Sequence, residues 1–324
     1  GAWPPWTPLL LRTLSANPTV DFHLLSDTSP PAALGPNVRL HHTPLPALLE
    51  RLRRTVGCRL SSLGAQGTFS SGVSAAKVND LKPTFGEAYA DMLAPYDWWG
   101  LLQEDVLLGD VRSFATAELL RAADVICPYL PPLNASGVFM LYRNTRRINR
   151  LWRSSRDAAR VLSDGRYLVF DEWWGALATR DNMAAVLGRE AAAGRIRLHV
   201  AGKALRWMGD DKLYGRAAVG HRPLNRNFLV CWRAHGRSGH AAAGELWANA
   251  GPHRTPCFGW PHRTPGRGVA VVHLSVAKRD APLKALDLDA WAGRVRDASE
   301  VALTADGVWL PAEHAAERAA AAAA

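Results

Sequence analysis

Cysteine is scarce in this chain, and its four examples, Cys58, Cys127, Cys231 and Cys257, stand far apart. No Cys-x-x-Cys pair occurs, which argues against a zinc ribbon or a thioredoxin-like redox site. Buried free thiols are the simplest expectation, and one or two disulfides would need an oxidising compartment. No run of about 18 apolar residues exists, so the sequence holds no transmembrane helix. Also absent are the Gly-x-x-x-x-Gly-Lys-Ser/Thr loop of P-loop ATPases and the Gly-x-Ser-x-Gly elbow of α/β-hydrolases. No nucleic-acid-binding module is recognisable, and no nucleic-acid partner is expected. The chain opens Gly1-Ala2-Trp3-Pro4 without Met, which reads as a fragment or processed product.

Apolar residues and positive charge are plentiful. Hydrophobic residues make up 48% of the 324, enough for a sizeable core and against general disorder. The net charge of +10 suits an anionic ligand or surface. Its densest run contains Arg143, Arg146, Arg147, Arg150, Arg153 and Arg156, with Ile148, Leu151 and Trp152 interleaved. That spacing predicts an amphipathic helix with a basic face. Such a face is either solvated or attracts phosphates or anionic lipid headgroups, which makes peripheral membrane contact an expectation. Asn134-Ala135-Ser136 fits the N-glycosylation acceptor pattern, which is frequent by chance.

Short apolar segments alternate with helical spacings. Asp21–Asp27 and Asn37–His41 read as strands, and Leu45–Val56 as a helix with Leu45, Leu48, Leu49, Leu52 and Val56 on one side. Pro83–Leu93 reads as a helix with Pro83 in its first turn. Tyr96–Leu102, Asp124–Cys127 and Val138–Tyr142 read as strands, with a helix over Thr116–Ala123. Beyond Asp171 strands are expected at Ile196–Val200, Asn227–Trp232, Glu245–Trp247 and Gly268–Leu274. The repeated Pro-His-Arg-Thr-Pro at Pro252 and Pro261 is expected in a surface loop. A helix is expected over Asp289–Leu303, then a frayed alanine-rich tail. The alternation predicts an α/β fold with a mainly parallel sheet flanked by helices. In such sheets ligands bind beyond the carboxyl ends of the strands, where Asp27 and the Glu104-Asp105 pair are expected.

Glu104 and Asp105 interrupt an otherwise apolar stretch from Trp98 to Gly109. Unpaired carboxylates are costly to bury, so two at a strand end suggest that they hold a cation. Their neighbours in sequence carry a resemblance. Trp3-Pro4-Pro5-Trp6-Thr7-Pro8-Leu9 and Asn17-Pro18-Thr19-Val20-Asp21-Phe22 come first. Asn79-Asp80-Leu81-Lys82-Pro83-Thr84-Phe85-Gly86 follows, then Tyr96-Asp97-Trp98-Trp99-Gly100, Gly109-Asp110-Val111-Arg112, Ser136-Gly137 and Asp171-Glu172-Trp173-Trp174. From Trp3 to Lys278 this ordered set resembles glycosyltransferase-A-type proteins, many of them uncharacterised or capsular-polysaccharide-like transferases.

The resemblance implies a Rossmann-like glycosyltransferase-A fold whose first strand precedes Gly1. It implies one domain over 1–280, with a nucleotide-sugar half of about 1–130 and an acceptor half of about 131–280; residues 281–324 form a C-terminal helix and tail. It implies that Asp27, Asp80, Lys82, Gln103, Glu104 and Lys278 face a nucleotide sugar. Asp80 at a helix N-terminus is the structural alternative. The family's Asp-any-Asp metal motif is degenerate here, with Gln103 in the first place and Asp105 in the last. Asp105 and His273 would hold a divalent cation, Mn²⁺ or Mg²⁺; a weak or lost metal site and a core His273 are the alternatives. Asp110 is either a second acid or a turn former. Ser136, Gly137 and Trp173 would face the acceptor, though Ser136-Gly137 also fits an ordinary turn. Asp171 or Glu172 would be the base, or Asp171 a helix cap.

The expected function is therefore a glycosyltransferase moving a sugar from a nucleotide-diphosphate donor, UDP-sugar favoured, to a glycan hydroxyl. One alternative is a catalytically degenerate protein that binds a glycan or nucleotide sugar. The other is an anionic-surface or nucleic-acid binder acting through the Arg143–Arg156 helix. The compartment stays open: Golgi lumen behind an N-terminal anchor in a eukaryote, cytoplasm in a bacterium.

Overall fold

The computed structural model describes residues 3–4, 6–60, 75–128, 134–172 and 179–200, and the backbone of strands within 207–309. In chain order the elements begin with α1 (Thr7–Ser15), β1 (Phe22–Ser26), β2 (Val38–His42) and α2 (Leu45–Val56). Then come α3 (Ala75–Leu81), a 3-10 turn at Lys82–Thr84, α4 (Phe85–Ala88) and α5 (Ala90–Leu93). They are followed by β3 (Trp98–Leu102), β4 (Val106–Leu108), α6 (Val111–Phe114), α7 (Ala117–Ala122), β5 (Val125–Cys127) and β6 (Phe139–Arg143). Next are α8 (Arg146–Asn149), a 3-10 turn at Leu151–Ser154, α9 (Ala158–Val161), α10 (Met183–Ala192) and β7 (Leu198–Val200). The last strands are β8 (Trp207–Gly209), β9 (Leu229–Ala234), β10 (Gly244–Asn249), β11 (Val271–His273), β12 (Glu300–Thr304) and β13 (Gly307–Trp309).

This mixed α/β chain divides into two compact units whose segments interleave. The first comprises Gly1–His42, Glu104–Phe114 and Leu205–Ala324; the second comprises Thr43–Gln103 and Ala115–Ala204. In the first unit β1 and β2 pair in parallel, Phe22 opposite Val38. A second sheet has the order β4-β11-β8, and a third the order β10-β9-β12-β13. The second unit has one sheet, β3-β6-β5-β7, antiparallel except for the parallel β5–β7 edge.

The expected mainly parallel sheet is not what the described strands form. Among them only β1–β2, β8–β11 and β5–β7 pair in parallel, and each sheet is small. Alternation identifies a strand, but the direction of its partner depends on connections that leave no periodic trace. The end of the helix expected over Asp289–Leu303 is also corrected. Glu300–Thr304 pairs antiparallel with β9 and β13, where β-branched Val301 and Thr304 suit a pleated strand.

Local patterning elsewhere produces the elements it predicts. The helix α2 buries Leu48, Leu49, Leu52 and Val56 on one face. Thr116 caps α7 by accepting a hydrogen bond from Leu119 N at 3.2 Å. The helix expected at Pro83–Leu93 breaks into three short pieces, with Tyr89 between α4 and α5.

The Arg143–Arg156 helix is corrected as well. That stretch is the end of β6, one turn of α-helix and one turn of 3-10 helix. Its arginines serve the fold instead of forming one free face. Arg143 reaches Asp124 at 3.1 Å, Arg150 and Arg153 reach Glu87 at 2.7 and 2.8 Å, and Arg156 lies 3.8 Å from Asp181. Arg150 and Arg153, three residues apart, converge on one carboxylate.

Two buried asparagines organise the first unit. Asn17 Nδ2 donates to the carbonyls of Thr13 and Gly109, both at 2.9 Å, and its Oδ1 accepts from Val111 N at 2.9 Å. Asn37 Nδ2 donates to the carbonyls of Leu14, Asn17 and Val20. Thr13 Oγ1 accepts from Leu108 N at 3.3 Å, so α1 is stitched to the β4 segment by side-chain amides and a hydroxyl. Replacing Asn17 by Ala leaves three buried backbone groups short of a partner. It is expected to cost about 2–3 kcal/mol, read as a lower chemical-denaturation midpoint. A midpoint like that of wild type would show that Asn17 does not hold this junction.

Candidate functional site

The densest convergence of polar groups lies in the second unit, around the chain from Tyr167 to Glu172. It begins with a fully buried ion pair, Lys77 Nζ to Asp80 Oδ2 at 2.9 Å, both side chains 0% exposed. The Lys-x-x-Asp spacing sets both on one side of α3. Asp80 is further engaged: Oδ2 accepts from Leu168 N and Oδ1 from Phe170 N, each at 2.7 Å. Burial raises the pKa of this carboxyl, while Lys77 and the two amides favour its charged form. With three donors around it, Asp80 acts as a carboxylate.

Between the two amides sits Val169, the only non-glycine residue with a left-handed backbone among those described, at φ 56°. A β-branched residue there is strained by about 1–3 kcal/mol and persists only where its surroundings over-determine it. Here Asp80 grips both flanking amides. Thr179 Oγ1 donates to Leu168 O at 2.6 Å, and Met183 N donates to Phe170 O at 2.9 Å.

The loop delivers Asp171 to a buried position, 3% exposed. Its Oδ1 accepts from Tyr167 Oη at 3.3 Å, and its Oδ2 is buried with no hydrogen-bond partner. Burial, opposed by Lys82 and reinforced by Glu172 and Asp80, pushes the Asp171 carboxyl up to about 7. Burial and the same three carboxyls push the Tyr167 phenol well up, so it stays the proton donor in their contact. Facing Asp171 is Gly137, where a Cβ would overlap Asp171 Oδ2 and press on the Glu172 side chain. Only glycine admits this approach. Lys82 Nζ donates to Gly137 O at 2.8 Å, and Ser136 Oγ accepts from Val138 N and Phe139 N at 3.2 and 3.4 Å. Gln103 joins the edge of the group, its N donating to Val138 O at 3.1 Å and its Nε2 to Asn79 Oδ1 at 3.4 Å.

The structure thus brings Lys82, Gly137, Asp171 and Glu172 into direct contact, with Asp80, Gln103 and Ser136 joined to them through neighbouring backbone groups. It changes the work of some of them. Asp80, expected to face a nucleotide, is wholly enclosed and spent on Lys77 and the loop amides. Ser136 turns its oxygen to two backbone amides. Trp99 is buried, its ring stacked on Tyr142 at 4.7 Å between centroids, and it donates to Asn149 Oδ1. Sequence reasoning assigned no role to Lys77, Tyr167 or Val169. The i, i+3 spacing of Lys77 and Asp80 was the available signal; nothing in a valine announces a left-handed backbone.

The remaining expected residues belong to the first unit or lie outside the described residues. Asp27 is exposed just after β1. Glu104 is exposed, and its carbonyl accepts from Trp6 Nε1 at 2.7 Å; Asp105 is buried at 1% exposure. Asp110 accepts from Arg112 N and Ser113 N, which makes it a turn former. In the β4–β11 ladder His273 stands opposite Val106, the residue after Asp105. The His273 side chain, Trp173, Trp174, Lys278 and the Pro-His-Arg-Thr-Pro repeats lie outside the described residues.

Among the described residues no three His, Cys, Asp or Glu side chains group to hold a metal ion. A hard divalent cation prefers oxygen ligands, several of them charged. Of the two expected protein ligands, Asp105 is described and buried, and the His273 side chain lies outside the described residues.

A model for a family of unknown function, DUF6625, matches residues 1–199, more than half of the chain, and the chain belongs to that family. No curated protein and no solved structure matches it.

The electrostatics carry a sign that can be measured. Between the ordinary 3.8 and about 7, folded Asp171 keeps a proton that the unfolded chain has released. Stability therefore falls as pH rises through that window and levels off above it. Asp124, held down to about 2 first by its hydrogen bond to Arg197, acts oppositely, and its contribution is lost as pH falls from about 4 towards 2. Asp171→Asn is expected to abolish the decline between pH 4 and 7. It should be more stable than wild type above pH 7, by a few kcal/mol in order of magnitude. Parallel stability curves for the two proteins would show that Asp171 titrates normally.

Proposed function

We propose that this member of the DUF6625 family is a glycosyltransferase of the glycosyltransferase-A type, with the Tyr167–Glu172 loop at the heart of its acceptor site. The observation that carries the reading is the Asp171 carboxyl. It is buried, has one oxygen without a partner, and is pushed up to about 7. That is the condition of a group poised to take a proton near neutral pH. The Rossmann-like fold belongs to the same proposal, supported by the parallel β1–β2 pair and the alternation of strands with helices.

In this reading a glycan hydroxyl is brought to the carboxyls of Asp171 and Glu172. Asp171 or Glu172 takes the hydroxyl proton as its oxygen forms a bond to the anomeric carbon of the donor sugar. The bond from that carbon to the diphosphate breaks, and the nucleotide diphosphate leaves with the electron pair. Tyr167 orients Asp171, and Lys82 holds the carbonyl of Gly137, the residue packed against Asp171. A UDP-sugar is the favoured donor through the resemblance of the Asn79–Gly86 block. No step here is routed through a metal ion.

A second reading is favoured by one observation. Gln103 stands where the resemblance expects an acid, and its amide is engaged with Asn79. This suits a protein of the same fold that binds a glycan or nucleotide sugar without turnover. Calorimetric titration of the full chain with UDP, paired with hydrolysis of a UDP-sugar panel, tests both. The transferase reading expects binding and hydrolysis, with Asp171→Asn or Glu172→Gln lowering the rate by about 10²–10⁴ and leaving UDP affinity within a few fold. Binding with no hydrolysis selects the second reading, and absence of both sinks the two together.

A further inference from the structure

We propose that the buried Lys77–Asp80 pair is a positioning device: by gripping the amides on either side of Val169 it forces that residue into the left-handed region and so sets Asp171 against Gly137. The inference rests on the proposed acceptor site for its use in catalysis, but its structural part is independent of any substrate.

Three observations converge on it. Asp80 spends one oxygen on each of the two amides flanking a strained residue, Leu168 N and Phe170 N. The ammonium of Lys77 keeps that carboxylate charged in a place with no water, which shortens and strengthens both bonds. Asp171 immediately follows the gripped segment, and its Oδ2 ends where only a glycine leaves room. A valine does not choose this backbone by itself, so the conformation that places Asp171 is imposed from α3. A turn meant only to connect two elements would be served better by glycine at 169. Keeping a valine there makes the geometry conditional on the ion pair.

The test separates position from charge. Removing Asp80 alone would leave Lys77 a lone buried cation and would also remove a negative neighbour of Asp171. The lesion is therefore the charge-neutral pair Lys77→Met/Asp80→Asn, made in the wild-type chain and in a Val169→Gly chain, where the left-handed turn needs no grip. The readout is the titration midpoint of Asp171, followed by its ¹³C carboxyl shift and identified by comparison with Asp171→Asn. In the wild-type chain the lesion is expected to lower the midpoint by about one pH unit or more, as the carboxyl slips towards water. In the Val169→Gly chain the shift should be less than half as large. Where UDP-sugar hydrolysis is measurable, its pH profile should move with the midpoint and be restored by Val169→Gly. Failure of Lys77→Met/Asp80→Asn to fold, with folding regained by adding Val169→Gly, supports the proposal equally. Equal shifts in both chains, no shift in either, or loss of folding in both overturns it. Absence of hydrolysis in the wild-type chain strikes the transferase reading alone, because the carboxyl titration needs no substrate.

Discussion

A carboxylate enclosed with a lysine ammonium, out of reach of water, is the constraint on which the second unit depends. Each charge alone would be very costly there; together they are tolerable because both oxygens of Asp80 also accept from backbone amides. The bonds to Leu168 N and Phe170 N are thus part of what makes the pair affordable, and the pair makes the loop hold its shape. Loss of either member leaves more than a missing bond: it leaves an uncompensated charge in the core. The position of Asp171 follows from this arrangement.

Around that centre many of the described arginines are bound up in the fold. Glu87 gathers Arg150 and Arg153, Asp124 gathers Arg143 and Arg197, and Asp181 gathers Arg189 with Arg156 nearby. Each carboxylate is more shielded than the guanidiniums that reach it, so arginine stems cover the surface while their heads meet partly buried acids. A basic stripe in the sequence therefore does not become a basic stripe in space. Arg146 and Arg147 in that run are exposed to solvent, and Arg147 contributes to the field at Glu190.

What could be read in advance followed the distance over which each feature is determined. The helix at Leu45–Val56 and the strands at Phe22–Ser26, Val38–His42, Trp98–Leu102 and Phe139–Arg143 are written in local spacing, and they stand close to where that spacing puts them. Several site residues were also legible as ordered blocks: Lys82, Gly137, Asp171 and Glu172 do meet. The rest was not, for physical reasons. The direction of strand pairing depends on long connections. Arg150 pairs with Glu87, which belongs to a different helix and is far away in sequence. The left-handed backbone of Val169 contradicts its own residue type and follows from Asp80 in α3. Asp80 itself looks like a ligand-facing acid in the sequence because its true partners, two amides and a lysine, make no motif.

The interleaving of the two units has a consequence for how the chain must assemble. The second unit is complete once residue 204 has been synthesised, whereas the first needs its opening 42 residues, the short Glu104–Phe114 insert and everything from Leu205 onward. During translation β1 and β2 can pair as soon as they emerge, whereas β4 must wait for β11, which is made after the second unit. The β4–β11 ladder then joins positions such as Val106 and His273 across a long intervening stretch, a closure that is entropically expensive and slow. Assembly is thus ordered in time, and the early segments of the first unit are the part of this protein that a chaperone has most reason to shelter.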